Sequence, residues 1–377
     1  MTRTRSKRRH PIGLALAGGG PFGAIYEIGA LIALEESLEG LDLNQLDCYV
    51  GVSAGSFLAA ALANAIPVPE IYRLFIAGEK GEGAVAPALF KRPAYREYLR
   101  ALLGWRIPTG LFDNDSIHEY LAATFAQPGR SNDFRRLKRR LYLVATDLDS
   151  GESVSFGRRA HRAMPISKAV QASAALPGLF PPVEIDGRYY VDGALKKTLH
   201  ASEALDDGMK LVLCVNPIVP YDASLAAKRG GARHSRLVEG GLPTVLSQAF
   251  RAIIHSRMAL GLSKYKTQYR GSDVVLFEPR PDDTEIFFTN IFSYRTRSRV
   301  CEHAYQGTRR DLVERRAELE PLLARHGIRY RWDVLRDSSR AIPVPRPPAS
   351  AVRELHTASA ELRDTLARLR QTIEHRA

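Results

Sequence analysis

Gly51-Val52-Ser53-Ala54-Gly55 stands between an apolar run, Leu46-Asp47-Cys48-Tyr49-Val50, and a small-residue stretch, Ser56–Ala63, that suits a helix. A chain that passes from buried strand to helix within five residues must turn sharply. Gly51 and Gly55, flanking the serine, permit that turn. The arrangement is a nucleophile elbow, in which the Ser53 hydroxyl projects at the start of the helix. A plain helix N-cap is the simpler reading of the same serine. Its placement between strand and helix favours the elbow.

A second element lies upstream. Ile12–Ala17 reads as a short buried strand, Gly18-Gly19-Gly20-Pro21-Phe22-Gly23 follows, and Ala24–Glu36 continues as a helix. A glycine-rich loop entering a helix offers backbone N–H groups at the positive end of the helix dipole. Such a site holds a bound anion or an oxyanion formed during reaction. Gly18, Gly20 and Gly23 also satisfy the G-x-G-x-x-G fingerprint of dinucleotide sites. That reading needs an acidic residue ending the second strand. Asp42 and Asp47 precede that strand instead, and it ends in Ser53, so nucleotide binding is disfavoured.

The third element is Arg188–Ala194, an apolar strand closing on Asp192-Gly193-Ala194. Taken alone, an Asp-Gly turn after a strand is common in any protein. In the order glycine loop, G-x-S-x-G and Asp-Gly-Ala, the chain resembles the patatin-like phospholipases, lipid acyl hydrolases that work with a Ser–Asp dyad. The segments Ser173–Pro182 and Val144–Gly151 are similar to family sequence as well, and the resemblance runs from about Pro11 to Val219. It implies Ser53 as nucleophile and Asp192 as general base. It also implies an oxyanion hole built around Gly18, Gly19, Gly20, Gly23 and Ala54, with the N–H groups of Gly19, Gly20 and Ala54 as donors. Gly51, Gly55 and Gly193 are the remaining motif glycines. The substrate it implies is a lipid ester, with no cofactor. One position departs from the pattern: the family carries Arg or Lys where this chain has Phe22. The backbone donors are unaffected, but a local positive charge suited to a phosphorylated head group is missing, and a neutral ester suits the loop equally.

The alternation of strand and helix from Pro11 to Ala65 predicts an α/β fold. Together with the resemblance, it gives a three-layer α/β/α sandwich with a mainly parallel sheet. Further strands are expected at Leu141–Leu148, Tyr189–Val191, Lys210–Val215 and Asp273–Phe277. Residues 66–127 read as a helical insertion, either a lid over an acyl groove or plain packing on the sheet. The catalytic domain is expected over residues 11–335, followed by a proline-rich linker at 341–350. Beyond it, Val352, Leu355, Ser359, Leu362, Leu366, Leu369 and Ile373 form a short heptad seam over 351–377. Self-association into a homodimer is the favoured use of that seam, and docking on the parent domain the other.

Charge adds two expectations. The chain of 377 residues holds 54 basic against 41 acidic side chains. Residues 1–10 form a basic tail with Arg3, Arg5, Lys7, Arg8 and Arg9 and no acid. No apolar core follows it, so it is not a secretory signal. An anionic membrane surface would attract the tail, while a solvated tail in an arginine-rich chain is an equal reading. No nucleic-acid recognition module is present. No run approaches the length of a membrane span. Cys48, Cys214 and Cys301 lie far apart without metal spacing, and buried free thiols in a reducing, cytoplasmic setting are expected. The aromatic run Ile286–Tyr294, beside Arg295, Arg297 and Arg299, reads as core or pocket wall before membrane interface.

Two rival functions keep the same serine. A Ser–His–Asp triad requires a downstream histidine, for which His200, His234, His255 and His303 are available, none in a convincing loop after a strand. A non-catalytic protein that binds membranes or lipid granules would need neither Ser53 nor Asp192. Transfer of the acyl group to an alcohol instead of water would use the same residues. Asp147 is read as a structural acid.

Overall fold

The computed structural model describes residues 10–77, 112–229, 237–288 and 294–342. The expectations for the basic tail, the proline-rich linker, the heptad seam and His234 lie outside those residues, as does the middle of the insertion.

Strand β1 (Ile12–Leu16) is buried along its whole length. Such a strand belongs in the centre of a parallel sheet covered on both faces. It leads into helix α1 (Gly20–Ser37), which is apolar on nearly every side and buried accordingly. A two-residue strand, β2 (Leu38–Glu39), follows, then β3 (Cys48–Val52) and helix α2 (Ala54–Ala63). The expected strand at Leu46–Val50 is therefore shifted: Gly51 and Val52 are part of it, and the turn is confined to Ser53. Helix α3 (Asp115–Phe125), β4 (Arg140–Asp147), β5 (Ser153–Phe156) and helix α4 (Ile166–Ser173) come next. The chain then forms β6 (Val183–Ile185), β7 (Arg188–Asp192) and β8 (Leu211–Val215). It continues through helix α5 (Gly241–Gln268), β9 (Asp273–Phe277), helix α6 (Tyr294–Glu314) and β10 (Arg329–Tyr330).

The main sheet runs β6-β7-β4-β3-β1-β8-β9, with β5 paired to β4. Pairs β4/β3, β3/β1, β1/β8 and β8/β9 are parallel, and β4/β5, β4/β7 and β6/β7 antiparallel. This is a mainly parallel sheet with helices on both faces. β10 pairs with β2 in a separate antiparallel ladder. Because the chain leaves β1 toward β3 and later returns to its other side as β8, the strand order reverses at β1. In open α/β sheets the crevice beyond the strand ends at such a point is where ligands bind. The loops holding Gly18–Gly20 and Ser53 both open onto it.

Register brings the third motif there. Gly51 pairs with Leu143 and Val52 with Val144, so Ser53 lies level with Ala145. Ala145 in turn pairs with Asp192 across the antiparallel β4/β7 ladder. Serine and aspartate, 139 residues apart, thus flank one small residue of β4.

All three cysteines are free and buried. Residues Val68–Tyr72, Arg73–Ala77 and α3 supply helical turns within the expected insertion, and Phe75 and Ile117 from it face the crevice. Asp147 is buried at the end of β4, pairs with Arg188 at 3.0 Å and accepts the N–H groups of Asp149 and Ser150. It organises the turn into β5.

Candidate active site

Ser53 has φ 50° and ψ −121°, a backbone conformation that a side-chain-bearing residue adopts at a cost of about 1–3 kcal/mol. Surrounding hydrogen bonds hold it there. Its N–H donates to Ser173 Oγ at 2.9 Å, and the Ser173 hydroxyl donates to the Val144 carbonyl at 2.6 Å. Close approach of α2 to the end of β1 completes the elbow. A Cβ on Gly55 would stand 2.6 Å from the Leu16 carbonyl oxygen, so only glycine fits.

The Ser53 hydroxyl donates to Asp192 Oδ2 at 2.6 Å. Asp192 is 1% exposed and Ser53 6%. The other carboxylate oxygen, Oδ1, accepts the Ala194 N–H at 2.8 Å. The Asp192 backbone is fixed as well: its N–H donates to the Ala175 carbonyl at 3.0 Å, and its carbonyl accepts from Thr146 Oγ1 at 3.2 Å. Burial raises the Asp192 carboxyl to a pKa of about 6, against the lowering effect of the Ser53 and Ala194 hydrogen bonds.

Two supports, Ser173 and Thr146, carried no assigned role at the sequence level. Ser173 opens the Ser-Ala-Ala-Leu-Pro segment and Thr146 lies in Val144–Gly151, both recognisable as family-like text. Their function depends on contacts that sequence spacing does not reveal. The segment Ser173–Ala175 touches both members of the pair, Ser53 through the side chain and Asp192 through the backbone.

The glycine loop meets the same point. A Cβ built on Gly18 would lie 3.1 Å from Ser53 Cβ and 3.0 Å from Ala194 Cβ. Gly20 begins α1 with φ 60°, a left-handed conformation that glycine adopts without strain, and the loop lines the crevice there. Two expected members of the oxyanion hole need correction. The Gly18 N–H donates to the Thr198 carbonyl at 3.1 Å, and the Gly23 N–H to the Gly19 carbonyl at 2.9 Å. Both donors are spent on holding the loop. Gly19 and Gly20 donate to no backbone carbonyl among the described residues outside regular elements, and both line the cavity with Ala54.

That cavity has a volume of about 450 Å³ and is walled by Phe22, Phe57, Phe75, Ile117, Phe180, Phe250 and Ile254 around Ser53 and Asp192. Its size and apolar lining suit a small organic ligand with an acyl chain. Ile286 and Phe287 of the aromatic run are wall residues. Phe22 presents an aromatic ring where the resemblance places a base. Arg297, one of the arginines beside the aromatic run, also lines the cavity, as does Arg251, which the sequence does not single out.

The described histidines stand apart from the pair. His255 faces Glu278 at 3.8 Å, His303 bonds Asp283 at 2.6 Å, and buried His200 has its pKa lowered to about 3 by burial. None hydrogen-bonds to Ser53 or Asp192, and the Ser53 hydroxyl donates to Asp192 instead. Alanine at His200, His255 or His303 is therefore expected to leave ester turnover within about threefold of the parent, provided the variant folds as a thermal melt reports. A loss above about a hundredfold at one of them would restore the triad.

A patatin-like phospholipase family model matches residues 14–205, slightly more than half of the chain and all three motifs. The chain belongs to the patatin-like phospholipase family. A phospholipase of Pseudomonas aeruginosa described as cGAMP-activated is 29% identical over 188 residues, covering 48% of this chain and 52% of that protein. An NTE family protein of Mycobacterium tuberculosis is 28% identical over 210 residues, covering 54% of this chain and 30% of that protein. The chain thus spans about a third to about half the length of these relatives. Among solved structures, VipD from Legionella pneumophila aligns over 82% of this chain and 67% of its own, at 15% identity and a TM-score of 0.41.

Proposed function

We propose that this patatin-like protein is a serine hydrolase that cleaves carboxylic esters of lipids, phospholipids and lysophospholipids among them. The direct 2.6 Å hydrogen bond from Ser53 to a buried Asp192, inside an apolar cavity, is the observation that carries this reading. Asp192 takes the Ser53 proton as the hydroxyl oxygen attacks the ester carbonyl. The N–H groups of Gly19, Gly20 and Ala54 hold the oxyanion; each such donor lowers the barrier by about 3–4 kcal/mol in comparable sites. As the tetrahedral intermediate collapses, Asp192 returns the proton to the leaving alcohol. Water then loses a proton to Asp192 and attacks the acyl-serine, releasing the fatty acid and restoring the pair. Covalent trapping with a fluorophosphonate, followed by mass mapping and a lipid-ester panel, tests the proposal. Label on the Ser53 peptide together with ester turnover supports it, and label elsewhere with no turnover removes it.

Action at a lipid surface accords with helix α5. Leu242, Leu246 and Ile253 are 69%, 58% and 57% exposed, with Val245 and Phe250 beside them. Their spacing puts them on one stripe. The adjoining face of the same helix, through Ser247, Phe250 and Ile254, lines the cavity. Among the described residues no helix is long and apolar enough to cross a membrane. A stripe of this kind lies in the interface plane, with basic side chains drawn to anionic lipid. The pair Leu246→Ser and Ile253→Ser is expected to cut sedimentation with phosphatidylglycerol vesicles by at least about tenfold. Turnover of a short, soluble ester should be retained. Undiminished sedimentation would remove α5 from the lipid contact.

A further inference from the structure

Among the described residues lining the cavity, the ionisable ones are Asp192, Arg251 and Arg297. Asp192 is committed to Ser53 and Ala194. Arg251, on α5, is different. Its Nη1 donates to the Val219 carbonyl at 3.3 Å and its guanidinium lies 5.1 Å from the centre of the Phe287 ring. Among the described residues no carboxylate pairs with it, although most other arginines held in the interior or at its edge, such as Arg158, Arg315 and Arg340, have one. Burial lowers its pKa, with no neighbouring charge to offset the effect. Arg251 is half-buried, and a guanidinium that keeps its charge in an apolar wall without a counter-ion is open to an anion entering the cavity.

Position narrows what the charge serves. Asp192 is bonded to Ser53 and Ala194, whereas Arg251 stands against the Val219 carbonyl and the Phe287 ring and bonds to neither member of the pair among the described residues. Phe22 makes the loop side of the cavity apolar, which leaves positive charge to the wall formed by α5 and α6. A planar fork with free N–H groups, backed by an aromatic ring and set in an apolar pocket, matches the bidentate geometry of a phosphate.

We propose that Arg251 forms an anion subsite in the catalytic cavity and binds the phosphate of the ester substrate, selecting phosphorylated lipids over neutral ones. The subsite rests on the reading of this cavity as the lipid-ester site. Arg251 is a specificity residue and takes no part in proton transfer.

The test measures binding to the Ser53→Ala protein, so that hydrolysis does not enter, with a lysophosphatidylglycerol and a monoacylglycerol of equal chain length below their micellar concentrations. Adding Arg251→Gln is expected to weaken the phosphorylated ligand at least about tenfold more than the neutral one. Arg251→Lys, which keeps the charge and loses the fork, should fall between, and it carries the test if the glutamine variant fails to fold. An equal loss for both ligands, or no loss, overturns the subsite. Inorganic phosphate binding as tightly as the lysophospholipid overturns its assignment to a lipid head group. Ester hydrolysis that persists in Ser53→Ala would overturn the dyad and leave the Arg251 result standing.

Discussion

Ser53→Ala is expected to lower kcat/KM for lipid esters by at least about 10⁴-fold while the fold is kept, the scale seen when a nucleophile is removed from a preorganised hydrolase site. The side chain makes one hydrogen bond among the described residues, to Asp192, whereas the backbone of the elbow is held independently by Ser173 and by the packing of Gly55 against β1. Removing the hydroxyl therefore leaves the turn in place. Alanine inherits the positive φ, so no strain is relieved and the melting temperature should move by no more than a few degrees. Ser173→Ala makes the contrast. It leaves the nucleophile intact but frees the Ser53 N–H and loosens the elbow, so a partial loss of about ten- to a hundredfold is expected. A parent-like Ser53→Ala enzyme would end the serine mechanism. Equal losses in both variants would show that position 53 matters for the turn alone.

Much of this site could be read from the chain because its parts are local. Strand, glycine turn and helix follow one another at β1 and again at β3, and each turn needs residue types that few other positions tolerate. Asp192 was legible as the end of a strand, yet its pairing depended on strand order. Only the β3–β4–β7 register places it opposite Ala145 and thus level with Ser53. Hydrogen-bond direction was beyond sequence reasoning. Gly18 and Gly23 look like their neighbours in the text, but Thr198 and Gly19 consume their N–H groups. Short strands such as β5 and β6 escaped because three or four residues carry no periodicity. Arg251 escaped for a different reason. It lies on a long, weakly patterned helix, and nothing in the sequence separates a cavity-lining arginine from the solvated ones around it.

Asp192→Asn is expected to abolish turnover and to stabilise the protein at pH 8, a combination that isolates what the aspartate does. In the folded chain burial holds its carboxyl near a pKa of about 6; in the unfolded chain it titrates near about 3.9. An acid raised on folding favours the native state while protonated. That contribution is full below about pH 4 and is lost as pH rises through about 6, where the buried group must ionise. The two-unit difference corresponds to about 3 kcal/mol. Asparagine is neutral at every pH. Its carbonyl can still accept the Ala194 N–H, and its amide can donate to Ser53 Oγ. The variant should therefore melt several degrees above the parent at pH 8 and close to it at pH 4. The same titration governs catalysis with the opposite sign, because only the carboxylate accepts the Ser53 proton. kcat/KM of the parent should climb with pH to a plateau, with its midpoint near about 6. A rate independent of pH between about 4.5 and 8, or an asparagine variant less stable than the parent at pH 8, would mean that Asp192 is not a buried base raised by desolvation. If both signs hold, the carboxylate that destabilises the native state at neutral pH is the one the reaction requires. Its retention in the interior then reflects chemistry, since packing alone would favour a neutral side chain there.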